Sequence, residues 1–95
     1  MRIDGVSVTA HLEALERIMD ERGFKAGVIH ATTDYSYVRI VNEQVAQLAE
    51  DISCSMWDGE LFYMWSWSGP ICPVRHIESA ADRIAFVLTP ERATG

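Results

Sequence analysis

An Asp-Gly pair, Asp58-Gly59, constrains the fold of this chain more than any other feature of its sequence. Aspartate followed by glycine tolerates the positive φ angles of a type I′ turn, whose twist matches that of two antiparallel strands. The flanking segments, residues 51–57 and 60–67, are rich in apolar and aromatic side chains. We therefore predict a β-hairpin whose two-residue loop sets the register, with Trp57 opposite Glu60.

This register assigns each side chain of the hairpin to one of two faces, because successive strand side chains alternate. The predicted core face carries Ile52, Cys54, Met56, Leu61, Tyr63, Trp65 and Trp67. The opposite face carries Ser53, Ser55, Trp57, Glu60, Phe62, Met64 and Ser66. Because a tryptophan buried in a core is costly to remove, Trp65→Ala is expected to destabilise the fold by about 3–5 kcal/mol.

A first helix is predicted from Thr9 to Arg22. Its apolar residues recur at helical spacing on one side: Val8, Leu12, Leu15 and Met19. Either Ser7 or Thr9 is suited to cap its start, since a side-chain hydroxyl accepts a hydrogen bond from a free amide there. Gly23 suits the left-handed residue that follows many helices.

Two further strands are predicted before the hairpin, at residues 26–33 and 35–41, where β-branched and aromatic residues are frequent. A turn at Thr33-Asp34 directs Ile29, Val38 and Ile40 into the core. The same turn directs His30, Tyr35, Tyr37 and Arg39 to the outer face. Residues 42–50 fit either a short helical turn or an irregular connection.

A second helix is predicted near the end of the chain. Pro70 and Pro73 are expected to end the last strand, because proline cannot donate a hydrogen bond to a sheet. The helix then begins between Pro73 and Ile77, ends before Pro90, and buries Ile84 and Leu88. The order α-β-β-β-β-α predicts a single α+β domain over residues 1–95, with a four-stranded antiparallel sheet and both helices on one face.

This architecture leaves the outer face of the sheet without a helix over it. We predict a partner-binding surface that comprises Tyr37, Arg39, Trp57, Phe62, Met64 and, on the second helix, Phe86. Scattered apolar surface residues are normal, but these cluster on adjacent strand positions, and their types are enriched at interface centres. The predicted function is a non-enzymatic protein-interaction module: a homodimer, or a small regulatory accessory protein that binds another protein.

Charge and composition exclude several other classes. The net charge is −6 and the isoelectric point is about 4.8, with Lys25 as the only lysine. Nucleic-acid binding requires clustered lysine and arginine, so it is not expected. No apolar run resembles a signal peptide or a membrane-spanning segment, so we expect a cytoplasmic protein that does not bind membranes. Cys54 and Cys72 are accordingly expected to be reduced thiols.

The alternative function is a small-molecule-binding protein or an enzyme with a pocket near Cys72 and His76. A structural zinc site needs four ligands, and Cys54 and His30 are predicted on opposite faces, so no metal or other cofactor is expected. The chain has no Gly-x-Ser-x-Gly elbow and no phosphate-binding glycine loop. No catalytic residue is therefore assigned, and whether the chain has any enzymatic activity is left open.

Three segments resemble small uncharacterised proteins of actinobacteria. These segments are Arg39-Ile-Val-Asn through Leu-Ala-Glu-Asp, Trp-Ser-Trp-Ser-Gly-Pro-Ile, and Ala-Ala-Asp-Arg-Ile-Ala-Phe-Val-Leu. The resemblance extends over roughly the C-terminal two thirds of the chain. It implies no activity and no site residue, and it marks the Trp-Ser-Trp strand end and the alanine-rich helix as structural.

Overall fold

The computed structural model describes residues 5–90, with side chains from Val8 onward. The elements in chain order are α1 (Gly5–Glu21), β1 (Lys25–His30), β2 (Ser36–Val41), β3 (Ala49–Trp57), β4 (Glu60–Trp65), β5 (Gly69–Pro73), a short 3-10 helix (Val74–His76) and α2 (Ile77–Val87). The strands form one antiparallel sheet in sequential order, from β1 at one edge to β5 at the other. The α+β class is confirmed, with five strands where four were predicted.

The β3–β4 hairpin has the predicted turn and register. Asp58 and Gly59 adopt φ angles of 51° and 85°, as a type I′ turn requires. The ladder pairs Trp57 with Glu60 and Ile52 with Trp65. Local turn chemistry was therefore sufficient to predict which side chains of these two strands share a face.

The fifth strand corrects the prediction that the prolines end the sheet. β4 ends at Trp65, two residues earlier than predicted, and the chain turns back through Ser66–Ser68 into β5. Gly69 begins that strand with a φ of 106°. β5 is an edge strand, so no strand on its outer side requires a hydrogen bond from the prolines. Edge strands are the positions at which proline is tolerated in sheets.

The β1–β2 hairpin differs from the prediction by one residue. The ladder pairs Val28 with Val38 and Ile29 with Tyr37, so the turn is one residue longer than a Thr33-Asp34 turn allows. A one-residue shift moves every side chain of a strand to the other face. Val28 therefore packs against the core, and the prediction that Ile29 points inward is wrong.

His30 changes face for the same reason. The ladder pairs it with Ser36, and the His30 Nδ1 and Ser36 Oγ atoms lie 2.8 Å apart. Ser36 shares a face with Val38, so the prediction that His30 lies on the outer face is also wrong. Tyr37 and Arg39 do lie on the outer face, so the prediction of the two faces of β2 is confirmed.

The first helix begins earlier than predicted, at Gly5, so Ser7 and Thr9 lie inside it and neither caps it. Its C-terminal end is as expected. Gly23 has a φ of 95°, its amide donates to the Asp20 carbonyl, and the Phe24 amide donates to the Met19 carbonyl. These two hydrogen bonds together form a Schellman motif, which satisfies helix carbonyls that would otherwise be unpaired.

Asn42 organises the connection between β2 and β3, whose conformation the sequence left open. Residues 42–48 form turns, without a helix. The Asn42 Oδ1 atom accepts hydrogen bonds from the amides of Gln44 and Val45, at 2.9 and 3.2 Å. Its Nδ2 atom donates to the Leu88 carbonyl at 2.8 Å and so ties the connection to the C-terminal end of α2.

Both helices pack on the same face of the sheet, as predicted. α1 contacts β1, β2 and β3, whereas α2 contacts β5 and the adjoining side of α1. The buried cluster between the two layers consists of Leu12, Leu15, Met19, Val38, Ile40, Ile52, Tyr63, Ile71, Cys72, Ala80, Ala81, Ile84 and Leu88. The alanines of α2 let its backbone approach the large side chains of the sheet.

Four of the predicted core residues, Ile52, Tyr63, Ile84 and Leu88, are fully buried. Cys54 and Trp65 are only partly buried against the cluster, and Leu61 is half-buried outside it. Met56 and Trp67 are 52% and 60% exposed, so their assignment to the core is wrong. Met56 lies next to the tip of the hairpin, beyond the helices, and Trp67 lies in the β4–β5 turn.

Candidate interaction surface

The outer face of the sheet is the side that neither helix of the described chain covers. The ladders place on it Ile29, Tyr37, Arg39, Asp51, Ser53, Ser55, Trp57, Phe62, Met64, Pro70 and Pro73. Ile29 pairs with Tyr37, and Met64 lies between Ser53 and Pro70. Large apolar and aromatic side chains therefore occur on the outer face of every strand from β1 to β5.

The side chains of the outer face support one another. The Tyr35 and Tyr37 rings lie 5.7 Å apart, and the Arg39 guanidinium lies 5.7 Å from the centre of the Tyr37 ring. Phe62 and Met64 are half-buried among neighbouring side chains, whereas Trp57 remains 51% exposed. A surface held in place before binding loses little side-chain entropy when a partner arrives.

An ion pair interrupts the apolar character of this face. The Arg39 Nε and Nη2 atoms donate to the two carboxylate oxygens of Asp51, at 2.8 and 3.0 Å. These hydrogen bonds, together with the charge of the carboxylate, raise the pKa of Arg39. Such a bidentate pair is geometrically specific and leaves no net charge at this point of the surface.

A surface cavity of about 540 Å³ adjoins the ion pair at the ends of the central strands. It is lined by Arg39, Val41, Ala46, Ala49, Glu50, Asp51, Ser66 and Trp67. The Trp67 ring stacks on Trp65 with centroids 5.1 Å apart, and its Nε1 atom donates to Glu50 at 2.7 Å. The polar groups of Arg39, Asp51, Glu50 and Trp67 are thus already paired with one another.

The structure brings five of the six predicted partner-binding residues onto one face. Tyr37, Arg39, Trp57, Phe62 and Met64 lie on the outer face. Phe86 does not join them, because α2 packs on the opposite side of the sheet and Phe86 points away from the core, with 83% of its surface exposed.

The sequence interpretation did not place four members of the outer face: Ile29, Asp51, Pro70 and Pro73. Ile29 was assigned to the wrong face by the one-residue difference in the β1–β2 turn. The sequence predicts that the two prolines end the sheet, whereas both lie within β5. The signal that could have found them is that prolines in a sheet occur on edge strands, and these two follow a strand after a short Ser-Gly turn.

The structure offers less support for a reactive site at Cys72 and His76 than for an interaction surface on the outer face. The Cys72 thiol lies 3.4 Å from the backbone carbonyl of His76 and donates to it, so the contact does not involve the imidazole. The His76 ring instead accepts from Arg75, whose other nitrogens pair with Glu60. The hydrogen bond from Arg75 lowers the pKa of Glu60. A thiol and an imidazole arranged in this way do not form a nucleophile and its base.

The two cysteines are free thiols that lie too far apart to form a disulfide. Cys54 and Cys72 lie opposite Tyr63 on its two neighbouring strands, so their backbones are about two strand spacings, or roughly 10 Å, apart. A disulfide requires less than about 7 Å between Cα atoms. Burial raises the pKa of Cys54 to about 12 and also raises that of Cys72, so both remain protonated at neutral pH.

We expect both thiols to react slowly with iodoacetamide in the native protein, because the reagent attacks the thiolate and both thiolates are disfavoured by burial. Mass spectrometry of the alkylated protein with and without denaturant measures the two rates. Alkylation at neutral pH should be at least about tenfold faster in denaturant. Rapid modification of Cys72 in the native state would contradict this result and revive a catalytic role for that thiol.

Within residues 5–90, no group of three or more histidine, cysteine, aspartate or glutamate side chains is placed to hold a metal ion. Neither α1 nor α2 is long and apolar enough to cross a membrane. Comparison of the chain with models of known families, with characterised proteins and with solved structures yields no match. The resemblance to actinobacterial proteins therefore stays a prediction.

Proposed function

We propose that this chain is a non-enzymatic protein-interaction module that docks through the outer face of its sheet, most simply onto a second copy of itself. The observation that carries the proposal is the one-sided packing of the sheet. Both helices cover one face, and the other bears Tyr37, Phe62, Met64 and Trp57 with no described element above them. Methionine and aromatic residues of this kind are enriched at interface centres.

The energetics favour a weak, reversible dimer. Each large apolar side chain contributes on the order of 1.5–3 kcal/mol when it is fully removed from water, and less here because several are already half-buried. From strand spacings, the face measures roughly 20 by 24 Å. The area that such a face can bury lies at the lower end of the range for specific interfaces, where weak complexes are found. We therefore expect association at micromolar concentration.

A second copy is the simplest occupant, because a two-fold axis brings the same patch of each molecule together and requires no other gene product. The Arg39–Asp51 pair leaves the middle of the face without net charge, so the two copies need not bring like charges together there. The overall charge of −6 opposes association only modestly, since exposed charges more than about 10 Å apart are largely screened at physiological salt.

Sedimentation equilibrium on three forms of the protein tests the dimer. The wild type is expected to sediment as a dimer at micromolar concentration. The double variant Phe62→Asp/Met64→Asp should be monomeric, because each half of the interface would then bury two carboxylates. Phe86→Asp is the matched control: it places a carboxylate on an exposed aromatic position on the other side of the molecule and should leave the dimer intact.

Circular dichroism on each variant checks that the fold is retained. A monomeric wild type would rule out the homodimer and leave another protein as the partner for this face. A double variant that is folded and still dimeric would place the interface elsewhere. Loss of the dimer only in Phe86→Asp would move the interface to α2.

We also propose that the chain works in the cytoplasm. The support is the pair of free cysteines, Cys54 and Cys72, which the fold holds too far apart to join. Reducing compartments keep such thiols intact.

A further inference from the structure

The two edges of the sheet differ in how their backbone groups are satisfied. At the β5 edge, Pro70 and Pro73 have no N–H group to offer. The Arg83 Nη1 atom donates to the Ile71 carbonyl at 2.9 Å and so occupies an acceptor of this strand. Prolines and side-chain caps are the means by which proteins keep an edge from pairing with further strands. The β5 edge is closed in this way.

Among the residues that the structure describes, the β1 edge is capped at one end, by Asp20. The Ala31 amide donates to the Tyr35 carbonyl, so in the alternating antiparallel pattern the backbone groups of Ile29 and Gly27 also face β2. Those of Ala26, Val28 and His30 then point away from the sheet. The Ala26 amide follows this pattern, because it donates to the Asp20 carboxylate at 3.2 Å. Within residues 5–90, no hydrogen bond reaches the outward-facing backbone groups of Val28–His30, and we call this section the free edge of β1.

An acidic flank of α1 runs beside this edge. Arg22 pairs with Glu78 and Asp82 of α2, whereas Asp20 reaches Ala26 of β1, so these two residues identify opposite flanks of the helix. The flank on the β1 side carries Glu13, Glu16, Arg17 and Asp20, which line a surface cavity of about 340 Å³. Three carboxylates and one guanidinium give this flank a net negative charge.

We propose that the free edge of β1 and the acidic flank of α1 together bind an extended peptide segment that carries lysine or arginine. The peptide would add a strand to the sheet, with backbone hydrogen bonds to Val28 and His30, a recurring mode of peptide recognition. Because strand side chains alternate, every second residue of the peptide faces the helix layer and meets Glu13, Glu16 and Asp20. Opposite charge at those positions steers and orients the peptide.

Charge also decides against the obvious alternative occupant, a second copy of β1. Antiparallel pairing of two β1 strands about a two-fold axis would bring the acidic flanks of two α1 helices together. Six carboxylates would then face two guanidiniums, Arg17 of each copy. Like charges across an interface select against a partner. The peptide site is thus separate from the outer face, and neither proposal depends on the other.

Three fluorescein-labelled synthetic peptides test the site by fluorescence anisotropy. The first alternates lysine and valine, the second alternates glutamate and valine, and the third is the lysine peptide with every amide N-methylated, so that neither of its edges can donate a hydrogen bond. We expect the first to bind and the other two to bind at least about tenfold more weakly, because the glutamate peptide loses its charge pairs with the three carboxylates and the N-methylated peptide loses its backbone hydrogen-bond donors. Equal binding of all three would overturn the proposal.

Amide hydrogen exchange places the bound peptide. With the lysine peptide present, the amides of Val28 and His30 should exchange more slowly, whereas those of β5 should not change. Protection elsewhere, with none at Val28, would overturn the proposal. If the Phe62→Asp/Met64→Asp variant, contrary to expectation, remains dimeric and its Val28 amide is protected without peptide, a second copy occupies the edge, which would also overturn the proposal.

A charge-matched pair of variants tests the acidic flank. Glu13→Gln/Glu16→Gln should weaken binding of the lysine peptide about tenfold, because it removes two of the three carboxylates that face it. Glu43→Gln/Asp58→Asn removes the same charge from exposed positions away from this flank and should change binding less than about twofold. Equal losses in the two variants would mean that only net charge matters, which contradicts a site at β1.

Discussion

Tyr63→Ala is expected to lower the free energy of unfolding by about 3–5 kcal/mol, the range measured for truncation of large buried aromatic side chains. Tyr63 lies in the middle of β4 with none of its surface exposed. Its hydroxyl donates to the His11 carbonyl at 2.8 Å and so links the sheet to α1. Truncation removes both the ring from the core and the hydrogen bond that links the sheet to α1.

Urea denaturation followed by circular dichroism measures this change. A domain of this length is stable by only about 5–14 kcal/mol, so Tyr63→Ala should shift the midpoint strongly or unfold the protein. Tyr63→Phe separates the contributions and should cost about 0.5–1.5 kcal/mol, because it keeps the ring and removes only the hydrogen bond. Tyr35→Ala, at a 46% exposed position, is the control and should cost well under 1 kcal/mol. Equal effects at Tyr63 and Tyr35 would contradict the packing of the core.

Ile84→Ala is expected to cost about 2–5 kcal/mol, because Ile84 is fully buried and its loss leaves a cavity between α2 and the sheet. Phe86→Ala, two residues along the same helix, removes a larger apolar side chain that is 83% exposed. Its effect should stay within about 0.5 kcal/mol. The two variants therefore separate the effect of burial from that of apolar character at neighbouring positions of one helix.

Thermal and urea unfolding of the two variants, at a concentration where the wild type is monomeric, gives both values without a contribution from association. We expect the Ile84 variant to have a clearly lower urea midpoint and the Phe86 variant to match the wild type. A destabilised Phe86→Ala would indicate that this ring has a partner within the chain. An unaffected Ile84→Ala would mean that the space closes around the smaller side chain.

The sequence by itself determined the features that depend on neighbours in the chain. Asp58-Gly59 sets a two-residue turn, and alternation then places Tyr63 inside and Phe62 and Met64 outside. Gly23 ends α1 because glycine readily adopts the left-handed conformation found there. Most of the outer face, and therefore the proposed interaction surface, follows from these local rules.

Only the tertiary structure decided which side chains are covered. Trp65 and Tyr63 share a face and look alike as core aromatics, yet Tyr63 is fully buried while Trp65 is only partly so, because α1 and α2 do not cover the sheet evenly. Met56 has the alternation of the core residues, and Trp67 would continue that alternation two residues past the end of β4. Both nevertheless lie beyond the helices and are exposed. Burial depends on where two distant helices end over the sheet, and alternation along a strand contains no information about that.

The tertiary structure likewise decided the extent and the register of the two edge strands, β5 and β1. Pro70 and Pro73 fit into a strand because, among the described residues, β5 has no neighbouring strand on its outer side. Ile29 and His30 exchanged faces because the β1–β2 turn holds one more residue than the shortest turn. Short turns carry strong sequence signals whereas longer ones have many solutions of similar energy, so the register of β1 was settled by burial of Val28 against the helices.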